Sequence, residues 1–198
     1  MSSCHRFYFT PFAELGDGHY FINDPGLVVD KPVKLVGDEN EPSHVILELS
    51  GKIVWKSPAG WIEGVTIRRP RIAIESTPNN DMLRVESGGR LDMFHCLFDN
   101  HGSVGNCISV DDKAGGQWEK VRITGGADGH SGLFVKKDAK LELVDCNICD
   151  NDGVGFASQD GAVVKMKSCT IEKNNLASKM KEEIMLVPSS PDNMIASH

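Results

Sequence analysis

The residue types best equipped for chemistry in this chain are cysteines, histidines and acids set among short apolar runs. There are six cysteines: Cys4, Cys96, Cys107, Cys146, Cys149 and Cys169. Cys146-Asn147-Ile148-Cys149 has the CxxC spacing that serves zinc sites and dithiol redox centres. Zinc wants a second such pair or a neighbouring histidine, and the sequence offers neither. A redox centre wants the motif opening a helix, whereas here it lies in a strand-like run from Leu141 to Ile148. The cysteines therefore read as free, mostly buried thiols in a reducing compartment, cytoplasmic or nuclear. His130-Ser131 are chain neighbours without a G-x-S-x-G elbow, which argues against a hydrolase triad. Gly125-Gly126-Ala127-Asp128-Gly129 lacks the GK[ST] ending of a phosphate loop. No metal and no cofactor is expected.

The elements that must position these residues repeat. Segments starting at Leu91, Gly116, Leu141 and Val164 align so that Cys96, Val121, Cys146 and Cys169 share a column. Met93, Trp118, Leu143 and Met166 share another, and Phe98, Ile123, Ile148 and Ile171 a third. A second strand family begins at Met82, Cys107, Gly132 and Val154, each member followed by a polar turn. Short strands recurring at this interval predict an all-β solenoid, a right-handed parallel β-helix of about six to seven coils. Helical repeats fail because no segment holds a 3.6-residue period. The step from Val65 to Cys96 is longer than the others, and the excess is placed around Glu75 to Asp81. The expected organisation is residues 1–17 as N-terminal cap or extension, 18–175 as the β-helix, and 176–198 as a cap helix or flexible tail. Asn100, Asn151 and Asn174 follow repeat strands and are expected to bond turn backbone.

Composition narrows the partners. Hydrophobic residues are 40 % of the 198, enough for one core, and the net charge is -7. Arg68-Arg69-Pro70-Arg71 is the densest basic run, too small for a nucleic-acid interface. No apolar stretch suits a membrane span or a secretory signal, so neither is expected.

From Gly18 onward the chain resembles right-handed parallel β-helix proteins of the pectin-lyase-like superfamily. Gly18-His19-Tyr20-Phe21-Ile22 and Lys31-Pro32-Val33-Lys34-Leu35-Val36-Gly37 are similar to the first coils of the carbohydrate-binding and sugar-hydrolase repeats. Such coils also occur in F-box-only proteins and an SHC-binding spindle protein. The resemblance to pectate lyases implies a calcium site, for which Asp99, Asp111, Asp112 and Asp128 are candidates with Arg84 or Arg122 as base. The resemblance to polygalacturonases implies paired aspartates followed by a Gly-His-Gly. Asp111-Asp112 and Gly129-His130-Ser131 match it in part, but no Arg-Ile-Lys follows and no Asn-x-Asp precedes. Asp111, Asp112 and His130 are thus the catalytic alternative, and turn closure is the competing role for the aspartates.

The favoured expectation is a non-catalytic binding module. Its partner is expected to be another protein, with carbohydrate as an alternative and self-association through the solenoid ends open. Per-repeat insertions often map to the binding face of a solenoid. The loops Thr77 to Asp81 and Asp112 to Gln117 are read as such insertions, and Trp61, Trp118, Arg84, Asn79 and Asp81 as binding residues.

Overall fold

The structure, a computed structural model, describes residues 11–70 and 80–175. Alternation of apolar and polar residues makes the strands. In Lys140–Val144, Leu141 and Leu143 are buried while Lys140 and Glu142 are exposed, and Val163–Lys167 repeats the pattern. Each short strand is half-buried, so it is stable only when stacked on its neighbours.

The strands form three parallel sheets. Sheet A holds β1 (Phe12–Glu14), β4 (Val33–Val36), β7 (Gly60–Glu63), β10 (Asp92–Phe94), β13 (Gly115–Glu119), β16 (Lys140–Val144) and β19 (Val163–Lys167). Sheet B holds β2 (Gly18–Ile22), β5 (Val45–Leu49), β8 (Thr66–Arg68), β11 (Leu97–Asp99), β14 (Arg122–Thr124), β17 (Asn147–Cys149) and β20 (Thr170–Glu172). Sheet C holds β3 (Gly26–Val29), β6 (Lys52–Trp55), β9 (Leu83–Val85), β12 (Ile108–Val110), β15 (Ser131–Val135) and β18 (Val154–Ser158). The chain visits A, B and C in turn, completing six coils and two strands of a seventh. Stacking starts at Phe12, ahead of Gly18. The cap expected over residues 176–198 lies outside the described residues, as do Cys4 and Asn79.

The core is a set of internal ladders. Ile62, Met93, Trp118, Leu143 and Met166 are in register in sheet A. Leu47, Ile67, Phe98, Ile123, Ile148 and Ile171 are in register in sheet B. Ile53, Leu83, Ile108, Leu133 and Phe156 are in register in sheet C, and all three ladders are buried. The columns read from the sequence in sheets A and B are therefore real strand register.

Corners close the coil by three devices. Between A and B, from the third coil onward, one residue per coil takes a left-handed φ: Gly64 (64°), His95 (47°), Lys120 (54°), Asp145 (52°) and Ser168 (53°). The next residue turns inward, giving the small-residue column Val65, Cys96, Val121, Cys146 and Cys169. Its thiols donate to carbonyls of the coil before, Cys96 to Ile62 at 3.5 Å, Cys146 to Trp118 and Cys169 to Leu143 at 3.4 Å each. Between B and C, Asn151 accepts from the Gly126 amide at 2.8 Å and donates to Asn174 Oδ1 at 2.8 Å, a side-chain ladder along the axis. Asn100 instead donates within its own turn, to Ser103 O at 2.7 Å. Between C and A, four-residue turns Glu86–Gly89, Asp111–Ala114, Lys136–Ala139 and Gln159–Ala162 each close by an N–H to carbonyl bond of 2.8–3.3 Å.

The last device corrects one expectation. Asp112 to Gln117 is no insertion: Asp112 and Lys113 sit in a turn of the same form as its neighbours, and Gly115 onward is β13. The extra residues of the long coil lie between β8 and β9, as the spacing suggested.

Candidate functional site

The outer face of sheet A carries two side-chain columns. One runs Lys34, Trp61, Asp92, Gln117, Glu142, Lys165, and the other Val36, Glu63, Phe94, Glu119, Val144, Lys167. Parallel pairing sets successive members about 4.8 Å apart, so they interact as rungs. Trp61 is half-buried, with its indole N–H donating to Glu63 Oε2 at 2.7 Å. Lys34 Nζ lies 5.5 Å from the Trp61 ring centroid and 3.4 Å from Glu63 Oε2. Gln117 Nε2 donates to Glu142 Oε2 at 3.2 Å, and Lys120 Nζ lies 5.1 Å above the Phe94 ring.

Trp61, Phe94, Gln117, Glu119, Glu142 and Val144 line a hollow of about 190 Å³ on this face. Gln117 and Glu142 are shared with a second hollow of about 380 Å³ that continues over Arg90, Lys140 and Lys165. Arg90 and Lys140 are shared in turn with a third of about 630 Å³ beside the C-to-A turns, bordered also by Lys113 and Asp138. One groove therefore runs from an aromatic and acidic end to a basic end.

The residues singled out from the sequence fall in different places. Trp61 is on this groove. Trp118 lies beneath the first hollow, buried in the core: it is 1 % exposed, stacks between Met93 and Leu143, and its indole N–H donates to Leu91 O at 2.9 Å. Period-two alternation turns it inward. Asp81 is also buried, being 7 % exposed and accepting from the Asn106 amide at 3.1 Å and from Asn106 Nδ2 at 2.9 Å. Arg84 points outward from sheet C but is tied to Asp111 through Nε at 2.8 Å and Nη2 at 2.6 Å. Lys136 Nζ takes the other Asp111 oxygen at 2.7 Å, so that carboxylate is the centre of an ion triad. Asp112 is exposed in the turn.

The catalytic alternative is not assembled. Asp111 follows the end of β12, and His130 precedes the start of β15, its neighbour in sheet C. They stand at opposite ends of neighbouring strands, Asp111 level with Lys136 and six residues along from His130, roughly 20 Å apart. Nor do Cys146 and Cys149 form a thiol pair: Cys146 turns inward at the corner, while Cys149 ends β17 opposite Glu172. Burial pushes the Cys149 thiol up to about 11 and the Cys96 thiol up to about 12.

A different group does converge. Asp17, Asp38 and His44, at the first A-to-B corners, bring one ligand atom each within 4.8 Å of one another. Asp38 accepts from the Asn40 amide at 2.9 Å and the Glu41 amide at 3.2 Å, and lies 2.9 Å from His44 Nδ1. The Asn40 amide, then His44, hold the Asp38 carboxyl below its ordinary value, and Asp38 raises that of His44. Two carboxylates and an imidazole suit a divalent cation of borderline softness or acid–base work. The sequence hid this group because its members lie on separate connections of two coils.

The family described as right handed beta helix region matches residues 62–195, more than half of the chain, and the chain belongs to it. No curated protein and no solved structure matches it. The family defines a scaffold suited to binding a ligand or partner along its length. Among the described residues no helix is long and apolar enough to cross a membrane.

Proposed function

We propose that the protein is a binding module that holds an extended segment of another protein along the outer face of sheet A. The continuity of the groove carries this reading: Trp61 and Phe94 offer flat apolar surface, Glu119 and Glu142 suit a basic side chain, and Arg90, Lys140 and Lys165 suit an acidic one. Work in the cytoplasm or nucleus accords with the free, mostly buried thiols. The test is an array carrying extended peptides of mixed charge order beside polysaccharide fragments, read with the parent chain and with Trp61→Ala. Peptides bearing basic then acidic groups bind the parent and are lost with Trp61→Ala. Retention by Trp61→Ala, or no peptide bound, overturns the reading.

A second reading, a polysaccharide-acting enzyme, is favoured by the Asp17, Asp38 and His44 group rather than by Asp111, Asp112 and His130. Its test is turnover of acidic and neutral polysaccharides with and without added Mn²⁺ or Zn²⁺. Cleavage abolished by Asp38→Asn supports it, and no cleavage with either metal sinks it.

A further inference from the structure

Cys146 and Cys169 occupy the same position on consecutive coils. The register pairs Val144 with Lys167 and Asn147 with Thr170 bracket them, and the residues just before them have φ of 52° and 53°. The two backbones are thus related by one strand step of about 4.8 Å, inside the range of roughly 4.4–6.8 Å that a disulfide bridges between Cα atoms. Both thiols turn inward, Cys146 Sγ donating to Val144 O and Cys169 Sγ to Lys167 O at 3.4 Å each. Val121 separates this pair from Cys96 in the column, so these two are the only adjacent cysteines among the described members.

The pair is asymmetric. Cys146 is 2 % exposed, whereas Cys169 is half-buried on the last described coil. The contact with Cys169, with burial added, pushes the Cys146 thiol up, and the same contact lowers that of Cys169. Cys169 is the better nucleophile of the two, because the thiolate is the reactive form.

We propose that Cys169 is a peroxide-sensitive thiol, with Cys146 as its resolving partner, and that oxidation ties the last two coils together. The Cys169 thiolate attacks one oxygen of hydrogen peroxide. The O–O bond breaks, hydroxide leaves and takes up a proton as water, and a sulfenic acid remains on Cys169. The Cys146 sulfur then attacks that sulfur, the S–S bond forms, the S–O bond breaks, and the hydroxyl leaves as water with the Cys146 proton. Two thiols give up two electrons and one peroxide accepts them. A dithiol reductant reverses the step. This modification stands independently of what the groove on sheet A holds.

The experiment uses the full chain, reduced, freed of reductant and treated with hydrogen peroxide, with remaining thiols alkylated before trypsin digestion. The expected product joins the peptide Leu141–Lys165 to Ser168–Lys173, in the parent chain and in Cys149→Ser. In Cys169→Ser the cross-link is lost and Cys146 is alkylated. A bond between Cys146 and Cys149, a dimer joined through Cys169, or Cys169 driven to sulfinic acid beside an alkylated Cys146 overturns the proposal. A second readout is backbone hydrogen exchange over residues 163–172, expected to slow about tenfold or more in the oxidised parent chain. Unchanged exchange overturns the fastening of the coils.

Discussion

Asp111 balances two cations with one carboxylate. Its side chain is 8 % exposed, those of Arg84 and Lys136 are 26 % and 27 % exposed, and the contacts measure 2.6 Å and 2.7 Å. Removing one member of a fully buried pair costs about 3–5 kcal/mol, but these two cations can partly rehydrate, so Asp111→Ala is expected to cost about 1–3 kcal/mol. For a chain of this size that lowers the melting temperature by roughly 3–10 °C. Asp112→Ala, at an exposed turn position, is expected to stay within about 0.5 kcal/mol, and equal effects from the two would refute the triad. Asp38 and His44 give a pH signature instead. A depressed Asp38 contributes only above the ordinary carboxylate range and loses its contribution as pH falls. A raised His44 contributes fully below its ordinary 6.5 and loses its contribution as pH rises through the raised value. The charged pair therefore spans the mildly acidic to neutral range. An NMR titration should place the His44 midpoint above 6.5 and return it toward 6.5 in Asp38→Asn; no movement would mean the contact is absent in solution.

At the level of elements, the A-to-B corner shows what backbone can demand without dictating side chains. Gly64, His95, Lys120, Asp145 and Ser168 share one left-handed conformation. Such a φ costs a non-glycine residue about 1–2 kcal/mol, which neighbouring ladders offset. Gly64 differs because a Cβ there would run into the Asp38 carbonyl. Gly64→Ala should therefore destabilise by about 2–4 kcal/mol. Lys120→Gly relieves strain but gains unfolded-state freedom and loses the contact over Phe94, so it should stay within about 0.5 kcal/mol. Thermal melts of the two variants check this, and a large loss in Lys120→Gly would show that the side chain matters more than the corner. The same contrast explains what was legible beforehand. Met93, Trp118, Leu143 and Met166 face one interior, so packing restricts them to apolar types and the column is visible in the sequence. Of the corner residues, Lys120, Asp145 and Ser168 are exposed and His95 partly so, leaving their side chains little restricted; five types occur and the repeat disappears from view. The burial of Trp118 and Asp81 is not legible in the sequence, because large or charged side chains suggest exposure, while an inward indole with a carbonyl partner and an acid bonding an amide one coil on are equally stable. Asp17, Asp38 and His44 meet only after two coils stack, which spacing along one chain does not announce.

For the whole molecule, the governing quantity is the register step. Met93, Trp118 and Leu143 pair successively at 25 residues, and Leu143 pairs with Met166 at 23. Among the described residues every strand bonds only to the coil before and the coil after, so cohesion there is passed from neighbour to neighbour. Peeled from one end by its terminus, the stack should come apart coil by coil, because the hydrogen bonds of one coil break before those of the next are loaded. Each detached coil of 22 to 31 residues releases roughly 70–110 Å of chain at about 3.3–3.6 Å per residue. A force–extension record should then show repeated rips of that size, while a single rip of the whole contour would contradict neighbour-only coupling. The coil is in this sense a unit of mechanical slack: under load the molecule lengthens in coil-sized instalments, and the coils still stacked keep their side-chain columns aligned.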